Sequence, residues 1–333
     1  MKFSVRNSRI IILSILAMSI LAMAPAGSEA ASFVPTRPIE FVCPSAAGGG
    51  LARFSETAGS IMESEKFIPV AMPRIYKPGG GFAVAMAYMV EKKGNPHFLM
   101  STSGPFVLTP LTVALSGKKT ISHKDLTMIG ILGFDEVVMV VKNDAPRKDI
   151  KELLAAAKAK PKSIRFGGSY VGSPDSLVVA SIAKATGVEF NYVPFQGGGE
   201  MNAALLGGHI DVMSSAPSDM YPHVEAKTMR MLAVAADKRM PRFKDMPTLK
   251  EIGCNLVRRT HRGIAAPPGI SADVVAYYEN AARKVTETSA FKKYLDDGLM
   301  TPVFMGSAEA SKFLDEYADV ALSTMHDLGM GKK

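Results

Sequence analysis

The sequence predicts an α/β fold with largely parallel sheets, and three observations carry that prediction. Short apolar runs rich in β-branched and aromatic residues alternate with segments whose apolar positions recur at three-and-four spacing. Glycine-rich turns stand between such a run and the helix after it, the grammar of strand–turn–helix units. With 333 residues, 47% of them hydrophobic and 21% charged, the chain is long enough for two globular domains of ordinary size.

The elements follow in order. Lys2, Arg6 and Arg9 precede an apolar run over 10–23, then Pro25, Gly27 and the small-residue exit Ser28-Glu29-Ala30. This reads as a secretory signal over 1–30, cut after Ala30, because the run is shorter than the roughly 18 residues of a membrane-spanning helix. No cysteine lies near the cut, so a soluble, exported, periplasmic protein is expected. Residues 38–42 read as a strand, and Leu51, Phe54, Ala58, Ile61 and Met62 mark an amphipathic helix. Strand patterns return at 98–100 and 136–141, and a helix is expected over 150–160, ending before Pro161. After a strand at 163–166, Ser173 can cap a helix, with Pro174 at its first position and Asp175 in its first turn. A strand at 189–194 leads into a helix opened by Glu200 and closed by Gly207 and Gly208. Short buried strands are expected at 210–213 and 231–234, and long serine-capped helices at 271–288 and 307–328.

Charge and cysteine usage exclude several classes. The formal charge of +8 falls by two when the signal segment leaves, and the cations are interspersed with acids, so no nucleic-acid surface is indicated. Cys43 and Cys254 form neither a disulfide framework nor a metal pattern; two buried thiols are favoured over one long-range bridge. The six histidines have no ligand spacing, and the 21 methionines do not cluster as a copper set would. Phosphate-loop, dinucleotide, HExxH and GxSxG motifs are missing, so no catalytic residue and no cofactor is expected.

What remains is a repeated device. At a strand-to-helix junction the first N–H groups of the helix lack internal partners and carry the positive end of its dipole, so an anion can rest there. Glycine allows close approach. Three junctions qualify: residues 46–50, 169–173 and 196–199, with Ser45, Ser169, Ser173 and Gln196 beside them. In open parallel sheets such loops gather at the carboxyl ends of the strands. Gly79 to Gly81 read as a turn outside the site.

From about Pro38 onward the chain resembles the exported solute-binding proteins of tripartite tricarboxylate transporters, the Bug or TctC family. The residues that carry this are "PSAAGGG", "KPGGG", "MSTSG", "FGGSYVGSPD", "YVPFQGGGEMNAALLGGHIDV", "MRMLAVAADKRM", "MPTLKEIG" and "RGIAAPPGIS", in matching order and spacing. The resemblance implies a two-domain fold like a type II periplasmic binding protein, with a ligand cleft between the domains. It implies capture of a small organic anion, a di- or tricarboxylate or a relative of one, by a monomer that delivers it to the transporter's membrane subunits. The domains are expected at 31–133 with 262–333, and at 134–261, with crossings near Gly133 and Arg262.

Carried across, the family's ligand loops fall on four segments. The first supplies Ser45, Ala46, Gly48, Gly49 and Gly50, and the second Ser101, Thr102 and Ser103. The third supplies Ser169, Tyr170, Gly172, Ser173 and Asp175, and the fourth Phe195, Gln196, Gly197 and Gly198. One ligand carboxylate is expected on the first loop and a second on the third and fourth, with Arg53 and Arg262 as candidate cations. The chain departs from the family pattern at Leu51 and Ala52, where Thr, Ser or Trp followed by Asp is common, at His261 in place of tryptophan, and at Ser176 in place of histidine. The loss of that aspartate argues against amino-acid ligands. Two alternatives remain: an exported hydrolase of anionic esters built on Ser173 and Asp175, and a binding protein feeding a membrane sensor.

Overall fold

The computed structural model describes residues 33–168, 173–195, 198–240 and 242–327, so the expected signal segment lies outside the described residues. Strand β1 (Glu40–Cys43) is apolar and almost wholly buried, as a central strand covered on both faces should be. A glycine turn follows, and helix α1 (Gly50–Ser64) buries the predicted stripe of Leu51, Phe54, Ala58, Ile61 and Met62. Next come β2 (Arg74–Tyr76), α2 (Ala83–Glu91), β3 (Phe98–Thr102), α3 (Pro105–Leu115), β4 (Thr127–Glu136) and β5 (Val138–Lys142). Helix α4 (Ile150–Ala159) begins at Asp149, whose carboxylate accepts the Glu152 N–H. After β6 (Arg165–Gly168), helix α5 (Pro174–Thr186) is capped by Ser173, whose hydroxyl oxygen accepts the Ser176 N–H at 3.2 Å. Strand β7 (Asn191–Pro194), helix α6 (Gly198–Leu206), β8 (Val212–Ser215), α7 (Pro217–Glu225) and β9 (Met229–Val234) complete the middle of the chain. The chain ends with β10 (Arg259–Ala266), α8 (Ala272–Glu287), α9 (Ser289–Asp297), β11 (Thr301–Gly306) and α10 (Ser307–Asp327).

The strands form two sheets. One has the order β11-β4-β10-β3-β1-β2 and the other β7-β6-β8-β5-β9. Each is mixed: β1 pairs in parallel with β2 and β3, and β6 with β7 and β8. Strands β4, β5 and β10 pair antiparallel with their neighbours, which corrects the expectation of largely parallel sheets. The reason lies in the crossings. Strand β4 leaves the first sheet and enters the second as β5 after one intervening residue, and β10 returns beside it. The ladder continues through the gap, with the Val137 N–H bonded to the Arg258 carbonyl and the Arg258 N–H to the Ala235 carbonyl. Gly133 and Arg262 are register partners within it.

Other expectations shift. Ser307 is the first residue of α10, not its cap: its hydroxyl donates to the Met128 carbonyl at 2.6 Å. Ser271 precedes α8 without a capping bond to the backbone. The strand expected at 210–213 runs over β8, two residues later. Strands β2, β4, β10 and β11 and helices α2, α3, α7 and α9 carry no reading from the sequence alone.

Residues from Pro35 onward form one compact unit. Phe166, Val178, Ile182, Val212 and Leu249 pack on one side of the second sheet. On its other side lies a methionine-rich cluster of Met201, Met213, Met220, Met229, Met240 and Met246. Cys43 and Cys254 are both buried free thiols.

Candidate functional site

Helix starts, and not side-chain chemistry, define the central cavity of about 140 Å³. Pro105 at the start of α3, the cap residue Ser173 of α5, Gly198 at the start of α6 and the cap residue Ala216 of α7 all line it. The start of α1 joins them through a hydrogen bond of 2.8 Å from the Gly50 N–H to Asp219 Oδ1, Asp219 being a further lining residue. Four helix dipoles therefore converge there from both sheets, and a fifth, that of α1, is tied to its wall through Asp219.

The compensation is uneven. Each of α5, α6 and α7 carries an acid in its first turn: Asp175, Glu200 and Asp219. Helices α1 and α3 have none. The Gly104 N–H at the start of α3 is taken by Thr260 Oγ1 at 2.7 Å, which leaves α1 as the end that relies on a carboxylate from outside its own sequence.

Arg262 is buried beside this cavity, with its Nε left without a hydrogen-bond partner. Its Nη2 donates to Asp135 Oδ2 at 2.6 Å and to Ser218 Oγ at 3.0 Å, and Ser218 in turn donates to Asp135. Burial pushes the Asp135 carboxyl up to about 6, although Arg262 pulls in the opposite direction. Arg53 donates to the Ser218 carbonyl, tying α1 to α7. His261 is buried and held neutral by desolvation and by Arg262, its pKa lowered to about 3, with Nε2 3.2 Å from Thr102 Oγ1.

The structure brings together Ser103, Ser173, Asp175, Gly198 and Arg262 around the cavity. Ser101 and Thr102 are buried away from it, Ser101 bonded to Ser55 Oγ at 2.8 Å. Ala46, Gly48 and Gly49 form an exposed turn, and Ser45 lies 3.4 Å from Cys43 Sγ. Phe195 packs against the methionine-rich cluster. Ser169, Tyr170, Gly172, Gln196 and Gly197 lie outside the described residues.

Sequence reasoning missed Val137, Met201, Ser215, Asp219 and Thr260. The signal for Asp219 was present: "SAPSD" at 215–219 repeats the Ser-Pro-Asp grammar of 173–175, but without the glycine that marks the other junctions. A wider groove of about 550 Å³ runs between α1, α7 and α9, past Arg53, Tyr221, Lys293 and Tyr294. Ala290, the second residue of α9, lies in its wall, so it meets one helix start that the cavity lacks, against the four that line the cavity. Among the described residues no cluster of His, Cys, Asp or Glu is placed to hold a metal ion, and no helix is long and apolar enough to cross a membrane.

Comparison with known proteins agrees with this architecture. Residues 72–329 match the tripartite tricarboxylate transporter family receptor, TctC. A Cupriavidus necator protein, "UPF0065 protein in gbd 5'region", is 29% identical over 316 residues, 94% of this chain and 93% of its own. A TctC solute-binding protein from Polaromonas superposes with a TM-score of 0.68 at 27% identity, over 89% of this chain and 100% of the other. MatC from Rhodopseudomonas palustris, solved with bound malate, superposes at 0.76 with 21% identity, over 88% and 99%. The fold is thus the two-domain α/β fold of periplasmic binding proteins, and the chain belongs to the tripartite tricarboxylate transporter receptor family, a family of solute-binding receptors and not of enzymes.

Proposed function

We propose that this protein is an exported receptor that closes two lobes on a small organic carboxylate and delivers it to the membrane subunits of a tripartite tricarboxylate transporter. The observation that carries the reading is the convergence of four helix starts on one cavity between the two sheets, with a fifth joined to its wall through Asp219. Such a site stabilises negative charge through backbone N–H groups and dipoles, with no bond to break. The binding of malate by MatC supports the same ligand class here. The lobes are residues 31–133 with 262–333, and 134–261, hinged where β4 and β10 cross; the division of strands between the two sheets supports this. The ligand loops are those around Gly48–Gly50, Ser103, Ser169–Asp175 and Phe195–Gly198, with Arg262 behind them. Ser173, which a hydrolase would need as nucleophile, serves as a helix cap.

Hydroxyls and backbone donors hold such a ligand with micromolar affinity, about −8 kcal/mol. Thermal unfolding of the mature protein with succinate, malate, adipate and citrate tests this. A ligand at a hundred times its dissociation constant adds about 2.7 kcal/mol of stability. Unchanged melting with every carboxylate would remove the reading.

A further inference from the structure

We propose that Asp219 is a built-in competitor for the ligand carboxylate and thereby sets the specificity of the cavity. This rests on reading the cavity as a carboxylate site.

The α1 start carries no acid in its own first turn, yet Gly50 N–H meets a carboxylate oxygen at 2.8 Å, supplied by Asp219 of α7, which lines the cavity. Asp219 is therefore in the place that a ligand carboxylate would occupy, with the same donor and the same dipole. The contact is shaped for it: a β-carbon on residue 50 would come inside van der Waals contact of Asp219 Oδ1. Among the described residues that line the cavity with Asp219, the only cation is Arg262, whose Nη2 is shared between Asp135 and Ser218 while its Nε has no hydrogen-bond partner. With Asp175 also lining the cavity, a ligand that brings two carboxylates meets two acids and, among those residues, a single cation already paired with Asp135. An incoming carboxylate gains the α1 start by displacing Asp219, and the apparent affinity is reduced by the fraction of molecules in which Asp219 holds it. The same residue penalises a second negative charge, so the site favours ligands with one carboxylate at the α1 end and hydroxyl or amide groups elsewhere.

Calorimetric titration of wild type, Asp219→Asn and Asp219→Ala with succinate, malate and citrate tests the proposal. The asparagine keeps size and hydrogen-bonding capacity, so it separates charge from folding, which far-UV circular dichroism monitors. Both variants are expected to bind about tenfold tighter, with the largest gain for citrate. A gain that survives in 0.5 M sodium chloride marks competition at contact, since general repulsion is screened there. Affinity that is unchanged, weaker, or raised only at low salt would overturn the role of Asp219 while leaving the carboxylate site standing. Failure of wild type and both variants to bind any of the three would overturn both.

Discussion

A β-carbon at position 50 would stand 3.1 Å from Ser218 Oγ and 3.2 Å from Arg262 Nη2, as well as against Asp219. The opening glycine run therefore has more than one cause. Gly48 adopts φ +87°, which glycine reaches without the strain that a side chain brings, and Gly50 allows α7 to approach. Alanine is the better helix former by about 1 kcal/mol, so propensity alone favours Gly50→Ala. Overpacking against a buried ion pair costs about 1–3 kcal/mol and should win. Gly199, also at a helix start, has open space where a methyl would project, with nothing within 4 Å, and escapes that cost. Thermal denaturation is expected to show Gly50→Ala melting below wild type and Gly199→Ala at or above it. The reverse order would mean that α7 does not press on the α1 start.

At the scale of elements, local chemistry was legible where it acts within one segment. The stripe of α1, the Ser173-Pro174-Asp175 opening of α5 and the Gly207-Gly208 end of α6 all depend on residues a few positions apart. Strand β10 was not legible, because its "RTHRGIAA" mixes cations with small residues and owes its place to pairing with β3 and β4. The candidate site divides in the same way. Junctions with glycine stood out, whereas Asp219 and Thr260 matter through partners 169 and 156 residues away. Helix α4 supplies an element-scale test. Asp149 Oδ1 accepts the Glu152 N–H at 2.9 Å, and Glu152 accepts the Lys148 N–H at 2.7 Å, a reciprocal cap. Asp149→Ala should cost about 1 kcal/mol of unfolding free energy in urea titration with an unchanged slope. A loss below a few tenths would show that solvent replaces the cap.

For the whole molecule, the crossing strands concentrate buried charge. Next to Asp135, Glu136 is pushed up to about 7, first by burial, with Arg259 pulling it down and Asp135 and Asp237 pushing it up. Its Oε2 is buried without a hydrogen-bond partner. A carboxyl raised in the folded state contributes stability that is complete below its unfolded pKa of about 4 and is lost as pH rises through about 7. Glu136→Gln removes that loss. Its melting temperature relative to wild type should therefore rise between pH 5 and pH 8, and a flat or falling difference would place the Glu136 charge in water. The Arg262–Asp135 pair adds a stronger constraint, since removing one partner of a buried pair costs about 3–5 kcal/mol.

The methionine-rich side of the second sheet reaches the cavity itself, because Met201 both lines it and packs in that cluster. Thioethers are flexible and polarisable, so this floor can change its outline at little cost. Burial shields the same sulfurs from peroxide in the folded state. A sulfoxide oxygen at Met201 or Met220 would need a hydrogen-bond donor in an apolar layer, so oxidation there would loosen this wall.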